Sequence, residues 1–233
     1  MGSVFHILPD SGVTAPRGFR AGGVFCDIKR LGTGKGSSKG QKRDLAVLFS
    51  ETDACVAGLF TTNQVSAAPV KLCLRRVPAG IARGVVANSG NANACTGDQG
   101  MKDAAAMADC FAGLLHTDPE KILVCSTGRI GVQMPMENVE NGIRAAFQAA
   151  DNTPETAHHA AEAIMTSDNV SKEVAVELTL GGKTVRIGGM CKGAGMIHPG
   201  MSATGKRPAA QPRQLHATML CFLTTDAAIT APT

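Results

Sequence analysis

Apolar and polar positions alternate most clearly late in the chain. Val174, Val176, Leu178 and Leu180 interleave with Glu173, Ala175, Glu177 and Thr179, the two-residue period of a β-strand. Gly181 and Gly182 can take the positive φ of a tight turn, and Val185 and Ile187 then resume the alternation, so the segment reads as a hairpin. Gly84–Ala87 and Lys121–Ser126 are continuously apolar, as buried strands are, and Leu45–Phe49 and Val56–Phe60 are two further predicted strands. A helical period appears three times. Residues 101–115 put Met107, Cys110, Phe111 and Leu114 on one face. Pro135 opens a second helix with Val139, Ile143, Ala146 and Phe147 inward, and a third runs from Pro154 to Met165 with Thr153 as its N-cap. The mixture predicts an α/β fold.

Two stretches break the pattern. Gly32-Thr-Gly-Lys-Gly-Ser-Ser-Lys-Gly40 has the glycines of a phosphate cradle, but Lys35 is followed by Gly36 and the strand Leu45–Phe49 comes after the loop instead of before it. A flexible basic surface loop is the better reading. Gly182-Lys183-Thr184 fails the same test, because Glu177 stands where the first glycine of the motif belongs. Ser202–His216 is polar, basic and contains two prolines, which marks a linker or exposed loop. The apolar run Ala217–Leu223 follows it directly.

Composition narrows the function classes. The chain has 233 residues, 44% of them hydrophobic and 18% charged, with a net charge of +4, which suits one ordinary domain or two small ones with a real core. Eight Phe and no Trp or Tyr leave that core to Ala, Val, Leu, Ile and Met. Few aromatics and a mild charge argue against nucleic acid, whose single strands are bound by stacking on rings. No run is long and apolar enough for a transmembrane helix, so no membrane association is expected. The eight cysteines form no CxxC pair, and His158 and His159, being adjacent on a helix, point apart; neither metal nor cofactor is expected. Cys125, within Lys-Ile-Leu-Val-Cys, reads as a small buried hydrophobe, and the cysteines together read as reduced core residues of an intracellular protein. The N-terminus shows no basic segment followed by an apolar one, so a cytoplasmic location is expected, or an organellar one for a eukaryotic chain that has lost a transit peptide.

Three segments can carry chemistry. Ser126-Thr127-Gly128 ends a buried strand, where exposed backbone N–H groups can stabilise an oxyanion or merely make a turn. Asn88-Ser-Gly-Asn-Ala-Asn-Ala-Cys-Thr-Gly97 is either a structural loop or a polar, substrate-facing one. Lys192, before a flexible glycine pair, can bind a carboxylate or sit on the surface.

Read in order, Gly12–Arg20, Phe60-Thr-Thr-Asn63 with Ala67-Ala-Pro69, Ala87–Ala94, Ser126-Thr-Gly128, Met165-Thr-Ser-Asp168, Lys192-Gly-Ala-Gly-Met196 and Ala217-Thr-Met-Leu220 resemble the ornithine acetyltransferase family over residues 12–229. The resemblance implies the layered sheet-and-helix fold of self-processing, DmpA-like threonine-nucleophile enzymes, here incomplete. It implies self-cleavage between Ala217 and Thr218, after which the freed α-amino group of Thr218, ordinarily of pKa about 7.7–8.0, serves as base for its own hydroxyl. Thr127 and Gly128 would form the oxyanion hole, and Thr166, Lys192 and Thr218 would contact substrate. The implied reaction moves acetyl from N2-acetylornithine to glutamate through acetyl-Thr218, in arginine biosynthesis, with no metal or bound cofactor. Some family members also use acetyl-CoA, and the family assembles as an α/β heterotetramer.

The resemblance divides the chain into an α-chain-like domain 1–201, an inserted segment 202–216, and the junction with the start of a β chain, 217–233. Two departures accompany it. In the family a Pro-Asn-Met-like element runs straight into Ala-Thr-Met-Leu, whereas residues 202–216 intervene here. A flexible insertion upstream of a scissile bond works against the near-attack geometry that self-cleavage needs. The family also has a second chain of comparable length where this sequence has residues 218–233. The alternative reading is therefore an inactive truncated fragment or paralogue. A self-processing aminopeptidase of related fold is a third reading, and the ornithine acetyltransferase motifs argue against it.

Overall fold

The computed structural model describes residues 5–30, 41–193 and 219–229, and the backbone of 201–202. Its elements run β1 (Phe5–Leu8), β2 (Phe19–Val24), β3 (Leu45–Cys55), β4 (Phe60–Thr61), α1 (Ala68–Arg76), β5 (Ile81–Asn91) and α2 (Gly97–Leu115). They continue with β6 (Ile122–Arg129), α3 (Met136–Gln148), α4 (Pro154–Ala163), β7 (Lys172–Leu180), β8 (Lys183–Cys191), β9 (Met201–Ser202) and β10 (Cys221–Thr225). The α/β class is borne out.

The central sheet has the order β2-β3-β5-β6, antiparallel except for the parallel β5/β6 pair. On one face Leu45, Val47, Phe49, Val86, Ile122 and Val124 pack against residues of α1, α2 and α3, among them Leu72, Phe111 and Ile143. Three of the few aromatic residues gather here, with the Phe49 ring 5.9 Å from Phe111 and 5.7 Å from Phe147. On the other face Ala46, Leu48 and Ala87 meet Ala157, Ala160, Ala161 and Ile164 in and just after α4. Small residues let α4 lie close: a Cβ on Gly23 would run into the His159 carbonyl.

The second sheet, β1-β7-β8-β10, is antiparallel throughout. Its inner face carries Ala175, Gly188, Met190 and Thr224, all buried. The Thr224 hydroxyl donates to the Val13 carbonyl at 2.8 Å, and a Cβ on Gly188 would run into the Gly12 carbonyl. The molecule is thus layered as three helices, the central sheet, α4, and the second sheet. The outer face of that last sheet exposes Phe5, Ile7, Val174, Leu180 and Leu223, Leu223 by 73%.

The hairpin forms at the predicted place, with φ of 56° and 74° at Gly181 and Gly182. All three predicted helices form, and Thr153 caps the third by accepting the Thr156 N–H at 3.3 Å. The strand expected over Val56–Phe60 does not. β3 runs on through Glu51-Thr-Asp to Cys55, past a bulge between Phe49 and Ala54, and then leaves the sheet as the Val56 N–H bonds the Gly80 carbonyl at 3.0 Å. Only Phe60 and Thr61, as β4, regain a partner, in β9. Asn88–Asn91, expected just after its strand, lies within β5, and β6 runs beyond the expected end at Ser126 through Thr127 and Gly128 to Arg129. The cysteines are not all core residues: Cys73 is buried, whereas Cys55, Cys95 and Cys221 are exposed. Ala217, Thr218, the glycine-rich loop Gly32–Gly40 and nearly all of the segment 202–216 lie outside the described residues.

Candidate functional site

β5 and β6 end side by side, with Ser89 opposite Thr127 and Gly90 opposite Gly128. The pairing then slips, Asn91 matching both Thr127 and Arg129. Gly128 has φ of 135° and Gly90 of 107°, conformations that side-chain-bearing residues rarely adopt. Space is equally restrictive: a Cβ on Gly128 would lie 2.6 Å from the Asn91 nitrogen, and one on Gly90 2.7 Å from the Lys29 nitrogen. The strand end is therefore an irregular, close-packed backbone with Thr127 buried and Gly128 open to solvent.

The asparagine-rich segment holds this end in place. The Ser126 hydroxyl donates to Asn88 Oδ1 at 2.6 Å, and Asn88 Nδ2 donates to the Asn91 carbonyl at 2.9 Å. Asn91 Oδ1 accepts the Asn93 N–H at 2.8 Å, and Asn93 Nδ2 donates to the Gly100 carbonyl at 2.8 Å. All three asparagines are wholly buried. Buried amides must find partners, and these find them in nearby backbone and hydroxyl groups, so the three asparagines act as scaffold for the strand end.

The Ser89 hydroxyl, donating to the Ala163 carbonyl at 2.6 Å, fastens the same strand end to the C-terminus of α4. Just beyond that helix, Asp168 collects the next set of partners. Its Oδ2 accepts the Thr166 N–H at 3.1 Å, and its Oδ1 accepts the Gly193 N–H at 2.6 Å and the Lys172 ammonium at 3.2 Å. Lys192 Nζ lies 3.9 Å from Oδ2, and the side chains of Asp168 and Lys192 are only 4% and 11% exposed. Burial raises the Asp168 carboxyl. The two backbone N–H groups and two ammonium groups outweigh that and hold it below the usual carboxylate range. The Lys192 N–H in turn donates to the Leu220 carbonyl at 2.8 Å, and Leu220 is buried.

Thr127 and Gly128 thus come together on β6, and Thr166 and Lys192 come together around Asp168. Ala217 and Thr218, for which no geometry is described, immediately precede Met219 and Leu220 in the chain. Two groups escaped the sequence reading. Asp168 stood inside the Met165–Asp168 motif without a role, although a carboxylate two residues from Thr166 was the available signal. Lys29 gave none. It is brought in by buried Asp44, whose carboxylate accepts the N–H groups of Cys26 and Lys29 at 2.7 and 3.1 Å. Burial lowers the Lys29 ammonium pKa and the Asp44 charge partly restores it, while Nζ donates to the Arg43 carbonyl at 2.6 Å.

A cavity of about 310 Å³ lies apart from these groups, between Ser66, Lys71 and Cys95 at the start of α2, and touches none of the four described candidates. Among the described residues no cluster of metal-ligating side chains occurs, and no helix is long and apolar enough to cross a membrane. What the strand end and the Lys192–Asp168 pair can do chemically is offer an N–H donor to developing negative charge and a fixed cation to a carboxylate.

Comparison with known proteins supplies the context. A family model described as the ArgJ family matches residues 23–233. A relative from Symbiobacterium thermophilum, named arginine biosynthesis bifunctional protein ArgJ, is 51% identical over 220 residues, covering 94% of this chain and 49% of the relative. A protein of the same name from Caldanaerobacter subterraneus is 44% identical over 94% of this chain and 48% of its own. The chain therefore spans about half the length of the curated relatives it matches. Among solved structures, an ornithine acetyltransferase from Mycobacterium tuberculosis complexed with ornithine is 40% identical, with a TM-score of 0.76, covering 85% of this chain and 100% of that one. The Bacillus halodurans arginine biosynthesis bifunctional protein is 37% identical, with a TM-score of 0.77, over 85% of this chain and 98% of that one.

Proposed function

The chain belongs to the ArgJ family, and from that premise we propose that it is the nucleophile-bearing part of a glutamate N-acetyltransferase that acts through Thr218. The observation that carries the reading is the convergence at one end of the layers: Thr127 and Gly128 beside Ser89, Ser89 on Ala163, Thr166 and Lys192 on Asp168, and Lys192 on Leu220. In this reading Thr218 attacks the Ala217 carbonyl, the resulting ester hydrolyses, and the new α-amino group takes the proton of the Thr218 hydroxyl. The hydroxyl oxygen then attacks the acetyl carbonyl of N2-acetylornithine. The oxyanion is met by Gly128 N–H and the Thr127 hydroxyl as the ornithine amine leaves with a proton. Glutamate's amine attacks the acetyl-threonine ester and regenerates the hydroxyl. Lys192, fixed by Asp168, is the cation for a substrate carboxylate, and Thr166 lines the same side.

Two further facts support it. The Mycobacterium tuberculosis structure is named for an ornithine complex. This chain also covers 98–100% of the solved relatives' chains but half of the curated ones, as it would if those relatives were divided near this junction. Assembly with a second chain, and use of acetyl-CoA, belong to the same proposal. Intact mass of the purified protein tests it: cleavage should give one piece ending at Ala217 and another beginning at Thr218, and Thr218→Ala should remain whole. Transfer of labelled acetyl from acetylornithine to glutamate is the companion assay. An uncut chain without transfer would overturn the activity of this chain and favour the alternative of an inactive truncated fragment or paralogue.

A further inference from the structure

β8 and β10 place Cys191 and Cys221 directly opposite one another. The bond from the Lys192 N–H to the Leu220 carbonyl makes residues 192 and 220 a hydrogen-bonded pair of the antiparallel ladder. Bonded and non-bonded pairs alternate along such a ladder, so 191 and 221 are a non-bonded pair. In these the side chains share a face and the α-carbons stand about 4.5 Å apart. A disulfide spans α-carbons separated by about 4.4–6.8 Å. Both thiols are free, Cys221 exposed and Cys191 half-buried, on the outer face of the sheet where a small reagent can reach them. Cys73 and half-buried Cys125 are different: Cys73 is 4% exposed and its thiol donates to the Val124 carbonyl at 3.2 Å.

We propose that Cys191 and Cys221 are a redox clasp, closing to a disulfide by exchange with a small organic disulfide such as oxidised glutathione. One cysteine thiolate attacks a sulfur of the reagent and expels one glutathione thiolate. The second cysteine thiolate then attacks the mixed disulfide and expels the other, and the two protons released by the cysteines end on the two glutathiones. The cysteines are oxidised and the reagent is reduced by the same two electrons. The clasp has a consequence that rests on the proposed self-cleavage. Cys191 precedes the Ala217–Thr218 bond and Cys221 follows it, so a closed clasp would keep the two pieces covalently joined and hold Lys192 beside the nucleophile-bearing strand. Burial, with Cys191 beside it, pushes the Cys221 thiol upward. Less of it is thiolate at neutral pH, and exchange should quicken as pH rises.

The test is peptide mapping of the folded chain after incubation with oxidised glutathione and alkylation of remaining thiols. A linked Cys191–Cys221 peptide is expected, lighter by two hydrogens and reversed by reductant. Cys191→Ser and Cys221→Ser should each instead carry one glutathione on the surviving thiol. In Thr218→Ala the clasp should close on the uncut chain, which separates its fate from that of the cleavage. In cut wild-type protein the pieces should travel as one species until reductant is added. If Cys191 and Cys221 remain separately alkylated or separately glutathionylated while exposed Cys95 reacts, the clasp is overturned.

Discussion

The two four-stranded sheets differ in what covers them. The central sheet has helices on both faces, and its strands are correspondingly apolar on both sides: Leu45, Val47 and Phe49 face one layer, Ala46 and Leu48 the other. The described residues cover the second sheet mainly on one face, and the covered face is the less apolar one. Along β7 it is Ala175 that is buried, while Val174 and Leu180, on the opposite side, are each about half exposed. The difference shows that apolar alternation identifies a strand and its two faces without deciding which face meets the core. Close approach decided it here. Gly188 lets the backbones meet, since a Cβ there would run into the Gly12 carbonyl, and small Ala175 is buried beside it. Among the described residues the other side exposes Phe5, Ile7, Val174, Leu180 and Leu223, and apolar groups gathered on one face are of a kind proteins keep for a partner.

The comparison predicts that equal truncations will cost very unequal amounts. The largest effect should come from Phe111→Ala, which empties a fully buried site between Phe49 and Phe147. A loss of about 3–5 kcal/mol is expected, read as a lowered urea midpoint with unchanged slope. A loss under about 1 kcal/mol would mean that the helical layer is not the tight core described.

Gly23→Val should come next. Its side chain would strike the His159 carbonyl and pry α4 from the central sheet, at a cost of about 1–3 kcal/mol or more. Urea denaturation measures this too, and a neutral result would separate α4 from the sheet.

Legibility in the sequence followed the same divide. Strands and helices with strong periods, such as the β7–β8 hairpin and α2, were readable because one local pattern decided them. α1 was missed. It opens on Ala67 without a side-chain cap, and Pro69 in its first turn was the one local start signal it offered. β1 and β2 were missed because Phe19-Arg-Ala-Gly-Gly-Val has little alternation and owes its place to pairing with β3. Within the site, Thr127, Gly128 and Lys192 stood out locally as candidates with open alternatives, and their roles, like Thr166 itself, were legible only through resemblance to a family. Asp168 joins nearby Thr166 and Lys172 to distant Gly193 and Lys192, and Lys29 takes its place from Asp44 fifteen residues on, contacts that no single local pattern records.

Asp168 ties the end of α4 to the second sheet, so Asp168→Asn probes the seam between the two regions. The native carboxyl titrates below its unfolded value. Its contribution is therefore present above the unfolded pKa and disappears as pH falls through the native one. The variant should lose about 1–3 kcal/mol at neutral pH, because the Thr166 and Gly193 N–H groups and the Lys192 and Lys172 ammoniums lose a charged acceptor. Wild type and variant should converge in acid. Urea titrations at several pH values measure the gap, and a gap that widened toward low pH would contradict the assigned charge state.

The smallest effect on folding should come from the bare face. Leu223→Thr removes an apolar side chain that is 73% exposed and lies opposite Gly189, while threonine brings the β-branched shape that strands favour. Little burial is lost, so stability should change by no more than about 0.5 kcal/mol in either direction. Solution behaviour is where the substitution should show. If the outer face is sticky, the variant should self-associate less than wild type as concentration rises, measured by sedimentation velocity. A large loss of stability would instead mean that Leu223 is buried in solution and that the two sheets are more alike than their burial indicates.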